Sequence, residues 1–195
     1  MKESKSIPVH LKGGDAARGL PARLHHNAWV VEDQERTRAF YEDVIGMPLI
    51  QFWIEEAPLP GGTTILSHAF YGMQDGSALA FFCMSEPKHH ATYKSPSTEL
   101  FNHIALKVDA ATQDQILERI KVSGYRNFTI EHGYCTSLYV TDPDGLRLEF
   151  TVDAPNLTEI NEFQARTARE AFKRWNEGQR RSNNAWAHRE LDDVS

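Results

Sequence analysis

The sequence has few cysteines, no long hydrophobic run and no excess of positive charge. Its only cysteines, Cys83 and Cys135, are too few for a disulfide framework and favour two buried, reduced thiols. No apolar stretch approaches the roughly 18–20 residues that a membrane helix needs, and the polar N-terminal segment lacks the apolar core of a signal peptide. A formal net charge of −6 leaves no basic footprint for nucleic acid. We therefore expect a cytoplasmic protein that binds neither membranes nor nucleic acids.

The sequence does contain the same half-module twice, and each copy opens on a histidine. The copies begin at His26 and His103, and histidine, alanine and valine recur at the same offsets in both. Each copy later reaches an Asp-Gly turn that is followed by an apolar strand. At the matching position of that strand, the first copy has Ala80 and the second has Glu149. Two matched histidines and one unmatched carboxylate predict an asymmetric metal site between two similar halves.

Hydrophobic periodicity divides each copy into a strand, a helix and three further strands. In the first copy the predicted strands are 24–31, 49–54, 64–71 and 77–84, with a helix between Asp33 and Gly46 and a loop at 55–62. In the second copy they are 101–108, 127–131, 136–141 and 146–152, with a helix at 111–124. This order predicts an α+β fold of two tandem βαβββ modules, 23–85 and 100–153. We expect them to form a half-open mixed sheet around a metal cleft.

Three segments lie outside the two modules. They are a flexible tail at 1–22, a polar linker at 86–99 and a C-terminal extension at 154–195. In the extension, apolar residues recur every three or four positions from Ile160 to Trp175, which predicts an amphipathic helix of about five turns. Its polar face has mixed charge, so we expect it to dock on its own domain or on a second copy rather than on a membrane. A homodimer is the expected assembly, since symmetric pairing is common among soluble chains.

The candidate metal ligands are His26, His103 and Glu149. Neighbouring side chains of a strand point to opposite faces, so His25 and His26 are not equivalent, and only His26 matches the offset of His103. Glu149 lies in a strongly apolar strand, where an unpaired carboxylate is costly to bury and a metal ion would remove that cost. Two imidazoles and one carboxylate are the facial triad typical of non-heme Fe(II) enzymes. Fe(II) is therefore the expected metal, with Mn(II), Ni(II) or Zn(II) as alternatives.

Four segments resemble the vicinal oxygen chelate superfamily, which includes glyoxalase I, fosfomycin resistance proteins and type I extradiol dioxygenases. These segments are 24–31, 40–46, 101–108 and 137–150, and the resemblance covers about 24–153. It implies a metal-dependent enzyme with a small-molecule substrate. In the extradiol dioxygenases two histidines and a glutamate come from the first strand of one module and from the first and last strands of the next. His26, His103 and Glu149 match that pattern.

The same resemblance implies catalytic roles for Tyr139 and His132. Tyr139 lies ten residues before Glu149, where extradiol enzymes carry a tyrosine that hydrogen-bonds a substrate oxygen. His132 lies near the place of a further active-site histidine that moves protons. A tyrosine of the core and an ordinary loop histidine are the alternative interpretations.

Three residues are the main candidate substrate contacts. Trp29 and Phe81 are apolar residues that could line the pocket, together with the neighbouring Phe82. Many extradiol enzymes carry an acid-base histidine near the position of Ser77, and this chain has none there. His68, on the preceding strand, is the candidate substitute.

Three functions remain open. The first is an Fe(II) extradiol-type dioxygenase, which would use O2 to cleave a catechol-like aromatic in the catabolism of aromatic compounds. The second is a metal-dependent lyase, isomerase or thiol transferase that acts on a small oxygen-chelating substrate. The glyoxalase form of the second is weakened because a fourth protein ligand would fall at Ala80 or Phe81, and neither side chain can ligate. The third is a binding protein of the same fold, which the intact ligand set disfavours.

Overall fold

A computed structural model describes residues 21, 23–98, 101–184 and 186, and within these ranges the strands form two four-stranded mixed sheets. The first sheet has the order β1-β4-β3-β2 and contains β1 (His26–Val30), β2 (Leu49–Leu59), β3 (Gly62–Gly72) and β4 (Ala78–Met84). The second has the order β5-β8-β7-β6 and contains β5 (Ile104–Lys107), β6 (Asn127–Glu131), β7 (Cys135–Thr141) and β8 (Arg147–Asp153). In each sheet the first strand runs parallel to the last, and the other pairs are antiparallel. The predicted α+β fold of two βαβββ modules is confirmed, as two separate sheets.

Helices connect the strands and extend the C-terminal side. The helices of the described residues are α1 (Gln34–Arg38), α2 (Pro87–Tyr93), α3 (Ala110–Val122) and α4 (Leu157–Asn176), and α1 continues directly into a π-helix at Ala39–Ile45. Asp33 and Asp109 cap α1 and α3, because the Oδ1 atom of each accepts a hydrogen bond of 2.7 Å from the backbone N–H three residues later. Gly46 ends the π-helix at φ +89°, a backbone conformation that favours glycine.

The two modules share one hydrophobic core. Phe40 and Tyr41 of the π-helix are fully buried, together with Ile120 of α3 and Phe150 of β8. Edge-to-face contact between Phe40 and Tyr125, with ring centroids 4.9 Å apart, also crosses between the modules. The helical sides of the modules therefore face each other inside the molecule.

One predicted irregular segment is wrong, and another contains a helix that the sequence did not predict. The predicted loop at 55–62 is ordered as a hairpin, in which β2 and β3 pair up to Leu59 and Gly62. Pro58 does not break β2, because β2 is the edge of its sheet and a missing N–H is tolerated there. The predicted linker at 86–99 contains α2, which begins at Pro87, a residue that suits the first turn of a helix.

The predicted amphipathic helix of the extension is present as α4. Ile160 near its beginning is buried, whereas Phe172 and Trp175 near its end are 63% and 59% exposed. No helix in the described ranges is long and apolar enough to cross a membrane. Apart from Pro21, the predicted tail at 1–22 lies outside the described residues.

Candidate metal centre

The strand registers put the two halves of the sequence repeat in equivalent positions. Ala28 lies opposite Ala80 in the first sheet, and Ala105 lies opposite Glu149 in the second. Ala80 and Glu149 are therefore structural counterparts, as their spacing in the sequence indicates. A carboxylate stands at this position in the second module alone.

A second pair of counterparts follows from the same registers. Phe70 lies opposite Ala80, and Tyr139 lies opposite Glu149. The second module therefore carries a glutamate and a tyrosine where the first carries an alanine and a phenylalanine. At these two positions, the polar side chains belong to the second sheet.

Four predicted site residues come together on one face of that sheet. The His103 Nε2 atom lies 2.6 Å from the Glu149 Oε2 atom. The ring of Tyr139 lies edge-on to His103, with centroids 5.8 Å apart. The His132 Nε2 atom is within hydrogen-bond distance of the Tyr139 hydroxyl oxygen, at 3.0 Å. The structure thus joins His103, Glu149, Tyr139 and His132 in one cluster.

The electrostatics of this cluster favour a cation. Glu149 is only 6% exposed, and a buried carboxylate needs a positively charged or hydrogen-bonding partner. The pKa of Tyr139 is raised, chiefly because its phenol is buried and further because it hydrogen-bonds the carboxylate of Glu149. Tyr139 is therefore a protonated donor at neutral pH. An imidazole nitrogen and a carboxylate oxygen side by side form a donor set that fits a divalent metal ion.

His26 lies in the other sheet, in a group of aromatic rings. Its ring centroid is 6.2 Å from that of His68 and 5.4 Å from that of Phe70. Its Nδ1 atom is 2.8 Å from the Nδ1 atom of His25, which precedes β1, so the alternation expected for these two histidines does not hold at this end of the strand. Within one copy, the described residues contain no group of three His, Cys, Asp or Glu side chains placed to hold a metal ion. The predicted set of His26, His103 and Glu149 is thus not assembled in a single copy.

Comparison with known proteins identifies the family. Residues 23–150 match the model of the Glyoxalase/Bleomycin resistance protein/Dioxygenase superfamily. The chain belongs to this superfamily.

Relatives in the superfamily have several activities. A lactoylglutathione lyase of Neisseria meningitidis is 29% identical over 133 residues, which cover 66% of this chain and 88% of that protein. The fosfomycin resistance protein FosX of Listeria monocytogenes superimposes with a TM-score of 0.51 at 18% identity, over 71% of this chain and 98% of that chain. A variant of FosX in complex with Mn(II) and 1S,2S-dihydroxypropylphosphonic acid has a TM-score of 0.50 at 19% identity, over 70% and 97% of the two chains. At these identities the structural likeness shows the fold.

The three predicted substrate contacts of this superfamily member lie on different faces of the first sheet. His68 shares the face of His26 and stacks on Phe82, with ring centroids 3.8 Å apart. Trp29 and Phe81 are paired on the opposite face, where Phe81 is fully buried and Trp29 packs against the core. The strand alternation therefore makes Trp29 and Phe81 core residues, whereas Phe82, which we also expected near the pocket, lies on the His26 face.

Sequence reasoning missed Phe128, which fixes the orientation of Tyr139. The two residues lie opposite each other in β6 and β7, and their rings stack with centroids 4.8 Å apart at an interplanar angle of 13°. Cross-strand aromatic pairs of this kind stabilise a sheet and restrain both rings. The register of two neighbouring strands would have revealed the pair, but the sequence does not specify that register.

Proposed function

We propose that the chain is a non-heme Fe(II) dioxygenase of the extradiol type, with the metal held by His26, His103 and Glu149. The cluster of His103, Glu149, Tyr139 and His132 carries this proposal. Its counterpart in the first module has Ala80 in place of the carboxylate, so the repeat supplies three protein ligands rather than four. Three protein ligands would leave room at a bound metal ion for a small oxygen-chelating substrate and dioxygen.

The complete ligand set requires, in this proposal, two copies of the chain. His103 and Glu149 are adjacent within one copy, and His26 of the second copy would supply the third donor. The exposed edge of the first sheet supports such pairing, since Phe52, Trp53 and Ile54 of β2 are 48%, 54% and 75% exposed. An edge strand with exposed apolar residues is prone to contact another chain. The proposal therefore implies a homodimer with two metal sites, each of which takes ligands from both copies.

The side chains around the metal would have distinct tasks. The ion would supply the electron transfer between a catechol-like diol and dioxygen that the organic groups of the protein do not provide. The Tyr139 hydroxyl, kept protonated by burial, would donate a hydrogen bond to a substrate oxygen where negative charge develops. A proton released by the substrate would pass to His132 through Tyr139: the Tyr139 oxygen would take it up as the hydroxyl proton moves to the His132 Nε2 atom, and the reverse transfer would return it later.

The first test is oxygen uptake by anaerobically prepared, Fe(II)-loaded protein with a panel of catechols. We expect uptake that requires iron and is accompanied by a yellow ring-opened product, while Mn(II)-loaded protein serves as the comparison. Glu149→Ala should lose both metal content and turnover, because it removes the buried carboxylate of the ligand set. Glu118→Ala, an exposed glutamate of α3, is the matched control and should retain both.

Two results would contradict the dioxygenase. One is full metal content together with full turnover in Glu149→Ala. The other is an absence of oxygen uptake from protein whose iron content has been verified, across the whole panel.

A metal-dependent lyase or isomerase is the second candidate, favoured by the likeness to the lactoylglutathione lyase. It predicts turnover of lactoylglutathione by Mn(II)- or Ni(II)-loaded protein under argon. The alanine at position 80 disfavours a site with four protein ligands, so the two candidates differ in their ligand sets as well as in their need for oxygen. Turnover under argon with no iron-dependent oxygen uptake would select the lyase.

A further inference from the structure

A cavity of about 340 Å³ lies between α4 and the segment that follows it. Its lining residues are uncharged, and five of the six carry a polar side-chain group beside apolar surface: Tyr134, Ile160, Asn161, Gln164, Asn183 and Asn184. Four of these six residues are carboxamides, each of which offers one acceptor oxygen and two N–H donors. Such a lining can hydrogen-bond a neutral polar group but cannot neutralise an ion.

The segment that borders the cavity on its C-terminal side is attached to the rest of the molecule at two points. The Asn184 Nδ2 atom donates a hydrogen bond of 3.2 Å to the backbone carbonyl oxygen of His132. The ring of Trp186 meets the ring of Phe163 edge-on, with centroids 5.2 Å apart. The cavity is therefore formed by the C-terminal extension together with the loop of the second module that carries His132.

One lining residue has an unsatisfied hydrogen-bond donor. The Asn161 Nδ2 atom is buried and has no hydrogen-bond partner within the described structure. A buried N–H group without an acceptor costs about 1–3 kcal/mol. This cost would be removed if the Asn161 amide turned toward the cavity and donated to a ligand oxygen there.

We infer that the cavity binds an uncharged ligand group that carries both hydrogen-bond donors and acceptors, such as a primary amide or a sugar hydroxyl pair. An anion or cation would be desolvated there without a compensating charge. Tyr134, which is 44% exposed, adds a flat aromatic surface on which such a ligand can pack. The volume falls within the range of small-molecule pockets. This inference does not depend on the proposed metal chemistry.

The cavity lies beside the metal centre without being part of it. The ring of Tyr134 stacks on the ring of His132, with centroids 5.7 Å apart. His132 in turn contacts Tyr139 of the site cluster. Two lining residues of the cavity, Tyr134 and Asn184, therefore contact His132, the proposed proton-transfer group, directly.

The test is ligand-observed NMR, followed by calorimetry, on the full chain with two matched pairs of probes. Nicotinamide is compared with nicotinate, and glucose with glucuronate. We expect at least one neutral probe to bind and its charged counterpart to bind much more weakly, and the probe that binds distinguishes an amide ligand from a hydroxyl ligand. Asn161→Leu and Gln164→Met should each weaken the neutral probe about five- to tenfold, since each removes a hydrogen bond.

Two controls separate this site from other effects. Gln115→Met removes an exposed carboxamide of α3 and should leave the probe affinity unchanged. Glu149→Gln changes a proposed metal ligand and should also leave the probe affinity unchanged. The result of this test is therefore independent of whether the metal proposal holds. Asn161→Asp keeps the side-chain shape and should likewise weaken the neutral probe, which provides a second variant if Asn161→Leu does not fold.

The inference would be overturned by any of three results. The first is that neither neutral probe binds at millimolar concentration. The second is that the charged probes bind as tightly as the neutral ones. The third is that folded Asn161 and Gln164 variants bind the neutral probe with the affinity of the unmodified chain.

Discussion

Asp142 connects the two modules through buried hydrogen bonds. Its carboxylate accepts hydrogen bonds from the hydroxyl of Tyr41, at 2.9 Å, and from the backbone N–H groups of Asp144 and Leu146, at 2.9 and 2.8 Å. Burial nevertheless raises the pKa of Asp142 from 3.8 to about 6, because these bonds only partly offset desolvation. The carboxyl group thus binds a proton more tightly in the folded protein than in the unfolded chain.

This shift gives a pH dependence of stability with a definite sign. Because the folded pKa exceeds the unfolded pKa, the contribution of Asp142 is fully present below about pH 4 and is lost as the pH rises through about 6. The loss amounts to about 3 kcal/mol, by the free energy of roughly 1.4 kcal/mol per pKa unit. Asparagine does not titrate, so the Asp142→Asn variant should lack this loss. Its free energy of unfolding should therefore fall less between pH 4 and pH 7 than that of the unmodified chain. Urea denaturation over this pH range measures the difference.

The control for this prediction is Asp114→Asn, which changes an exposed carboxylate of α3. Its stability should follow the pH profile of the unmodified chain. Parallel profiles for the Asp142→Asn variant and the unmodified chain would contradict the role of Asp142.

At the scale of single residues, the sequence predicted that His103 and Glu149 lie close together, and their role as metal ligands stays a prediction. His103 and Glu149 were found because two copies of one pattern could be compared position by position, and the structure puts them 2.6 Å apart. Trp29 and Phe81 were misplaced because an apolar run such as that of β4 does not reveal which face of the strand is buried. The position of His26 relative to Glu149 depends on how whole modules or copies pack, which no local pattern specifies.

At the scale of the secondary structure elements, Arg119 of α3 completes the C-terminal end of the π-helix in the other module. Its guanidinium group donates hydrogen bonds of 2.7 and 2.8 Å to the carbonyl oxygens of Val44 and Ile45. These carbonyls lie at the end of a helix, where they have no partners within the helix. The side chain therefore links the modules and stabilises the helix end at the same time.

Arg119→Met should destabilise the protein by about 2–3 kcal/mol, since it removes hydrogen bonds from a charged donor and leaves two carbonyl groups without partners. Arg119→Lys should recover part of this loss, because an ammonium group can reach one carbonyl but lacks the planar fork of arginine. Urea denaturation at neutral pH measures both variants. Arg126→Met, at an exposed position after α3, is the matched control and should change stability little. Equal stabilities of the Arg119→Met and Arg126→Met variants would contradict this role.

Most elements were predictable from the sequence, and the exceptions have physical reasons. Strand alternation, the capping residue Asp33 and the terminating Gly46 identified the βαβββ order, which the structure confirms. The extent of β2 was missed because proline is tolerated at a sheet edge, and edge position is a property of the assembled sheet. The helix α2 was missed because a segment of seven residues carries little periodicity.

At the scale of the whole molecule, the described residues of a single copy leave two apolar surfaces exposed and provide only two of the three proposed metal ligands side by side. The edge strand β2 and the end of α4 both expose large hydrophobic side chains, including Ile54 at 75% and Phe172 at 63%. His103 and Glu149 lie together, but the described residues of one copy provide no third ligand beside them. Pairing of two copies would bury exposed apolar surface, and it would also complete the ligand set if it brought His26 of one copy to Glu149 of the other.

Mixed dimers test this arrangement directly. His26→Ala and Glu149→Ala should each be inactive alone, because each removes one ligand from both sites. When the two variants are co-expressed, half of the dimers should contain both chains, and each of these should regain one intact site. Metal content and oxygen uptake should therefore recover to about a quarter of the value for the unmodified chain. Co-expression of His103→Ala with Glu149→Ala is the matched control, since both changes affect the same half of the site and no pairing restores it. No recovery with the first pair, in dimers shown to contain both chains, would mean that all three ligands come from one copy or that His26 is not a ligand.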